Sequence, residues 1–200
     1  MPEQSGMMRC NIPLLGFCAY GSGIGKTTLL TSLIPVLIAH GLRISVIKHA
    51  HHSFDIDRPG KDSYRLREAG AVQMLLGSSN RWALMTELSR IGPQHPEPSL
   101  AELLEHLDTS LADLVVVEGF KHEQIPKIEI CRPSLCKLML AADDRHVIAV
   151  AADGPVSTQV PVLDLNDPVM IAGFILTWLA DQRAGKKSQA PVNALYGTHS

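Results

Sequence analysis

Residues 20–28 read Tyr-Gly-Ser-Gly-Ile-Gly-Lys-Thr-Thr, and no other stretch constrains the fold as tightly. An apolar run at 12–19 precedes it, and a helical pattern of apolar residues from Leu29 to Ile38 follows it. Strand, glycine-rich loop and helix in that order make a phosphate-binding loop. Glycine backbones let successive N–H groups curl around an anion where a Cβ would obstruct them. The helix opening at Lys26 turns its unpaired N–H groups and the positive end of its dipole towards the same anion. Gly21, Ser22, Gly23, Ile24, Gly25, Lys26, Thr27 and Thr28 are therefore the candidate nucleotide-binding residues. Lys26 is placed to reach the β- and γ-phosphates of a nucleoside triphosphate, and the Thr27 hydroxyl to ligate Mg2+. The strict pattern has glycine five residues before Gly25, where this chain has Tyr20; Gly21 and Gly23 supply the flexibility one step later.

The rest of the chain alternates apolar strands with helices. Strands are expected near 12–19, 43–48, 111–119, 127–131, 146–151 and 162–163, and helices near 26–40, 62–70, 100–107 and 167–181. Pro35 should bend the first helix, and Gly41 suits its end. Residues 62–70 read as a capped helix closed by glycine. Apolar segments at 72–76 and 81–85 flank Gly77-Ser78-Ser79-Asn80, a hairpin signal. Residues 92–99 hold three prolines and read as a loop. Nearly all-apolar strands between helices predict an α/β fold of the P-loop NTPase class: one domain, a mainly parallel sheet, helices on both faces. The expected organisation is a leader at 1–11, the nucleotide-binding domain at 12–182 and a disordered tail at 183–200.

Ligands of such sheets bind beyond the carboxyl ends of the strands. The phosphate loop, residues 49–57, residues 118–121 and Asp153 all follow expected strand ends, which puts them on one rim. Val115-Val116-Val117-Glu118-Gly119 has the form of the strand that carries the acidic residue near Mg2+. Glu118 could hold the metal or orient the attacking water, or merely end the strand. Asp55 and Asp57 are candidates for Mg2+, and Asp57 joins Glu118 as a catalytic candidate. Lys48 and Lys121 are placed for phosphate. Lys61 and Arg65 suit either a second anionic group or a capped surface helix. His49, His51 and His52 read as a polar loop or a metal cluster, without zinc spacing. Asp153 is a candidate for the guanine base, whose N1–H and 2-amino group a carboxylate accepts together. The alternative there is a turn-forming Asp-Gly.

A net charge of −2 gives no electrostatic case for nucleic-acid binding. The apolar run at 169–180 is too short to span a bilayer, and no secretory signal precedes the first strand, so a cytoplasmic location is expected. Cys10, Cys18, Cys131 and Cys136 form no CxxC pair and read as plain thiols.

Several blocks together resemble one family. Gly23-Ile24-Gly25-Lys26-Thr27-Thr28-Leu29-Leu30, Val46-Ile47-Lys48-His49-Ala50-His51-His52, Asp57-Arg58-Pro59-Gly60-Lys61-Asp62-Ser63-Tyr64, Arg81-Trp82-Ala83-Leu84 and Val117-Glu118-Gly119-Phe120-Lys121 look like the molybdopterin-guanine dinucleotide biosynthesis protein B (MobB) family. The likeness runs from about residue 12 to 180. It implies a GTP-binding accessory protein in molybdenum cofactor maturation, with Mg2+ and slow GTP hydrolysis. It also implies a homodimer that assists the molybdenum cofactor guanylyltransferase, with molybdopterin itself a candidate partner. A small-molecule kinase and a GTP-dependent metal chaperone are the rival readings.

Overall fold

Leu14–Cys18 (β1), Ile44–Lys48 (β2) and Leu114–Glu118 (β5) are short and largely apolar, β2 and β5 rich in β-branched residues, and they lie side by side. The computed structural model describes residues 12–50, 54–92, 97–135 and 138–185. The leader at 1–11, the loop residues 93–96, His51, His52, Cys136 and residues 186–200 of the expected tail lie outside them. One compact unit takes the chain up to His49 and again from Leu100; residues 50–99 form a second.

The first unit is a six-stranded sheet. Lys127–Cys131 (β6), Val147–Ala152 (β7) and Val162–Asp164 (β8) complete it, in the order β2-β5-β1-β6-β7-β8. Every neighbouring pair is parallel. Parallel strands need crossover helices, which bury both faces. Lys26–Ala39 (α1) and Pro168–Arg183 (α4) cover one face, where Leu29, Leu33, Leu37, Ile171 and Ile175 pack against Leu15, Phe17, Val116 and Ile128. Leu100–Glu105 (α3) covers part of the other through Leu100 and Leu104, beside Ile47, Val115 and Val117. The expected α/β architecture with helices on both faces is the one observed. Asp167 caps α4 by accepting the N–H groups of Val169 and Met170. Gly41, at φ 85°, closes α1, its N–H reaching the Ile38 carbonyl at 2.9 Å. Pro35 sits on the exposed side of α1, and the helix runs through it to Ala39.

One expectation needs correction. β5 begins at Leu114, not 111, because Thr109–Leu111 form a 3-10 turn capped by Asp108. β6 lies between β1 and β7, and it is wholly buried although its sequence alternates Lys127 and Glu129 with apolar residues. Buried charges require partners. Lys127 Nζ donates to the Lys121 carbonyl at 2.7 Å and to Asp144 at 2.6 Å, and Glu129 accepts the N–H groups of Leu140 and Ala141, each at 2.8 Å. Burial would raise the Asp144 carboxyl, but the bonds from Lys127 and His146 hold it below the usual range. For Glu129 burial wins, and its carboxyl is raised. Burial also pushes the Cys18 thiol up to about 12, with Glu129 adding to the effect, so it stays a neutral thiol in the core.

The second unit holds Asp62–Glu68 (α2) and an antiparallel hairpin of Gln73–Gly77 (β3) and Trp82–Thr86 (β4), with Leu75 opposite Leu84. Lys61 precedes α2 without a side-chain cap, so the expected cap is missing, while Gly70 at φ 116° closes the helix. Arg67 is the unit's buried anchor, bonded to Glu87 at 2.8 Å and to Asp55 at 2.5 Å. Among the described residues no helix is long and apolar enough to cross a membrane.

Candidate nucleotide site

Because the strands are parallel, the loops after β1, β2, β5, β6 and β7 all leave from one edge of the sheet. The phosphate loop, His49, Gly119–Lys121, Arg132 and Asp153 stand along it. The loop turns on Gly23 (φ 73°) and Gly25 (φ 105°), a region that L side chains enter only with strain. Gly25 is the residue before α1, with no side-chain cap, and the first turn carries no acidic residue. The opening N–H groups of a helix lack intrahelical partners, so this end suits an anion. Lys26 Nζ folds back onto the Gly21 carbonyl at 3.2 Å. Tyr20, in place of the missing glycine, is half exposed, and Lys121 Nζ lies over its ring, 5.9 Å from the centroid.

The second part of the site comes from the sheet register. β2 and β5 pair Lys48 with Glu118. Glu118 ends a fully buried strand and is only 7% exposed. Its Oε1 accepts a 2.7 Å hydrogen bond from the Thr27 hydroxyl. Lys48 Nζ lies 3.2 Å from Thr27 Oγ1 and 3.3 Å from Glu118 Oε1. A hydroxyl and a carboxylate with a cationic group already seated against both are hard oxygen donors of the kind Mg2+ selects. One hydroxyl and one carboxylate fit an ion that keeps waters and takes phosphate oxygens as its other ligands.

The turn after β5 is held to the end of β2. Gly119 has φ 96° and Phe120 φ 49°. His49 N–H donates to the Glu118 carbonyl at 2.9 Å, and the His49 and Phe120 rings stack with centroids 4.6 Å apart. Among the described residues no group of three or more His, Cys, Asp or Glu side chains could hold a metal ion.

Asp153, the candidate for the base, and Asp57, the candidate for Mg2+ and catalysis, each have partners within their own unit. The Asp153 carboxylate accepts a bond from Arg132 Nη1, and Arg132 Nε donates to the Ile24 carbonyl at 2.9 Å. Asp57 lies in the second unit, where its Oδ1 accepts bonds from Ser63 Oγ and the Arg58 N–H, each at 2.9 Å. Its Oδ2 is buried without a hydrogen bond, 3.9 Å from Arg67 Nε. Lys61 and Arg65 also belong to that unit, and Arg65 makes an exposed contact with Asp62.

Sequence reasoning missed Arg132 and the Lys127–Asp144 pair. For Arg132 the signal was its place directly after an expected strand, on the ligand rim. Lys127 carried none, since a lysine at the start of a short strand usually faces solvent.

The family model described as MobB, "Molybdopterin guanine dinucleotide synthesis protein B", matches residues 14–153. The chain is similar to the molybdopterin-guanine dinucleotide biosynthesis adapter protein of Escherichia coli (strain K12), with 50% identity over 86% of this chain and 95% of that protein. It is 49% identical to the adapter protein of the same description from Haemophilus influenzae, over 86% of this chain and 92% of that one. Among solved structures, a molybdopterin-guanine biosynthesis protein B superposes with a TM-score of 0.61 at 25% identity, covering 82% of this chain and 99% of that one. A MobB homologue from Bacillus stearothermophilus does so at 0.60 and 22% identity, over 84% and 97%, and supports the fold alone.

Proposed function

The chain belongs to the molybdopterin guanine dinucleotide synthesis protein B (MobB) family, and on that premise we propose that it is a GTP-binding adapter in molybdopterin-guanine dinucleotide biosynthesis. The observation that carries the nucleotide part is the loop from Gly21 to Thr28 opening α1, with Thr27 bonded to the buried Glu118. In this reading Gly21–Thr28 hold the phosphates, Lys26 unfolds from the Gly21 carbonyl to meet them, and Lys48 and Lys121 contribute positive charge beside them. Thr27 and Glu118 would hold Mg2+, which when bound neutralises charge on the phosphoryl oxygens. Asp57 is the rival ligand; its carboxylate would have to leave Ser63 and the neighbourhood of Arg67. The preference for GTP over ATP rests on the family.

Hydrolysis is slow in this reading, because the protein serves a partner, the guanylyltransferase, rather than turning over by itself. The working form is a homodimer. Supporting that, the β3–β4 hairpin exposes Leu75, Trp82 and Leu84, more apolar surface than a lone two-stranded ribbon usually leaves in water.

Titration with a fluorescent GTP analogue tests the nucleotide reading. Lys26→Ala should lose binding while keeping the wild-type unfolding midpoint, since the Lys26 head group faces the loop and not the core. Equal affinity in the two forms overturns the phosphate-loop assignment.

A further inference from the structure

Arg132 is the first residue after β6, and its guanidinium reaches two neighbouring strand ends. Nε donates to the Ile24 carbonyl, in the loop after β1, at 2.9 Å. Nη1 donates to Asp153, the first residue after β7. Nη2 lies so near Gly25 that a Cβ there would meet it at 3.3 Å. Sheet order explains the arrangement, since β6 lies between β1 and β7. A planar guanidinium can satisfy two acceptors at once in a fixed fork, which a lysine cannot.

We propose that Arg132, held by Asp153, is a positioning residue for the phosphate loop. The proposal rests on the nucleotide reading above and extends it to residues not assigned there. In a trans peptide the carbonyl and the following N–H point in opposite directions. With the Ile24 carbonyl drawn to Arg132, the Gly25 N–H faces away from the guanidinium. The φ of 105° at Gly25 then leads the chain into α1. The bond to Arg132 thus fixes the peptide from which the anion-facing turn starts, before any ligand arrives. Asp153 acts at one remove: it orients the guanidinium and bears on every nucleotide equally, instead of reading the base. Gly25 is required twice, by its backbone angle and by the guanidinium against its α-carbon.

Equilibrium titration of GTP, ITP and ATP against wild type, Arg132→Ala, Asp153→Ala and the double variant tests this. ITP lacks the 2-amino group that a base-reading carboxylate would accept. Arg132→Ala should weaken all three nucleotides by a common factor of about tenfold, the size expected for one charge-assisted hydrogen bond. Asp153→Ala should weaken them uniformly too, leaving the GTP to ITP ratio unchanged. The double variant should be no weaker than Arg132→Ala alone, because the two side chains act as one device. Arg132→Lys, which keeps the charge and loses the fork, should resemble Arg132→Ala. Any of three outcomes overturns the proposal: wild-type affinity in Arg132→Ala, a lowered GTP to ITP ratio in Asp153→Ala, or additive losses in the double variant. If Arg132→Ala does not fold, Arg132→Lys and Asp153→Ala carry the same comparison. Failure of the nucleotide reading looks different, since wild type and Lys26→Ala would then bind alike.

Discussion

The Thr27 hydroxyl donates a 2.7 Å hydrogen bond to Glu118 Oε1 across 91 residues of sequence, and the Lys48 ammonium lies within 3.3 Å of both oxygens. Lys48 is the neighbour of Glu118 in the sheet, so the register of β2 on β5 delivers the cation to the carboxylate. Lys48 thereby occupies the neighbourhood in which a divalent ion would meet these two ligands.

A tethered cation competes with a free one. Lys48→Met should tighten Mn2+ binding in the absence of nucleotide, by about two- to fivefold, the scale of an ion pair with one exposed partner. Electron paramagnetic resonance of free Mn2+ reads this directly. Unchanged or weaker binding would mean that Lys48 does not guard the metal ligands.

Glu118→Gln should lower GTP turnover by about tenfold or more while changing GTP affinity far less, because charge near the metal matters most where phosphoryl charge is redistributed. Steady-state phosphate release at saturating GTP and Mg2+ measures it, with Asp57→Asn run beside it. Loss in Asp57→Asn with wild-type turnover in Glu118→Gln reverses the two roles. A wild type turning over at about 10 s−1 or faster on its own is an ordinary enzyme, not an adapter.

Gly119→Ala should destabilise the protein by about 1–3 kcal/mol, the cost of a side chain in a left-handed conformation. The added Cβ would also meet His49 Cβ at 2.8 Å, so the stacked His49 and Phe120 rings must move. Gly173→Ala in α4 is the control: nothing lies within 4 Å of its would-be Cβ, and alanine favours the helix. Urea unfolding midpoints should shift in opposite directions. A Gly119→Ala protein as stable as wild type removes the strain argument.

The Arg43–Asp113 pair ties the starts of β2 and β5 together and predicts a pH dependence. Hydrogen bonds from the Arg43 side chain lower the Asp113 carboxyl from 3.8 to about 2. A depressed carboxylate stabilises the fold above its unfolded pKa, and that contribution is lost as pH falls through the folded value. Stability from this pair should therefore be intact at pH 5 and decline from about pH 4 to about pH 2. Asp113→Asn should flatten that part of the acid unfolding curve and leave the slope above pH 5 alone. An unchanged acid limb would show that solvent screening has cancelled the pair.

The phosphate loop, the hairpin and most element positions were legible from the sequence because each depends on short-range chemistry. Gly23 and Gly25 permit backbone angles that other residues resist, and a run such as Leu114–Glu118 has few alternatives to a buried parallel strand. The likeness to MobB was legible for the same reason, since short contiguous blocks carried it. Tertiary structure decided which loops became neighbours, through a strand order that chain order does not follow. That order gave Thr27 its carboxylate, set Lys48 beside both, turned Asp153 towards Arg132, and buried Lys127 and Glu129 in an inner strand of the sheet. A charged side chain's role depends on the partner within hydrogen-bond reach. For these residues the partner comes from another strand end, so local sequence carries too little information to name it.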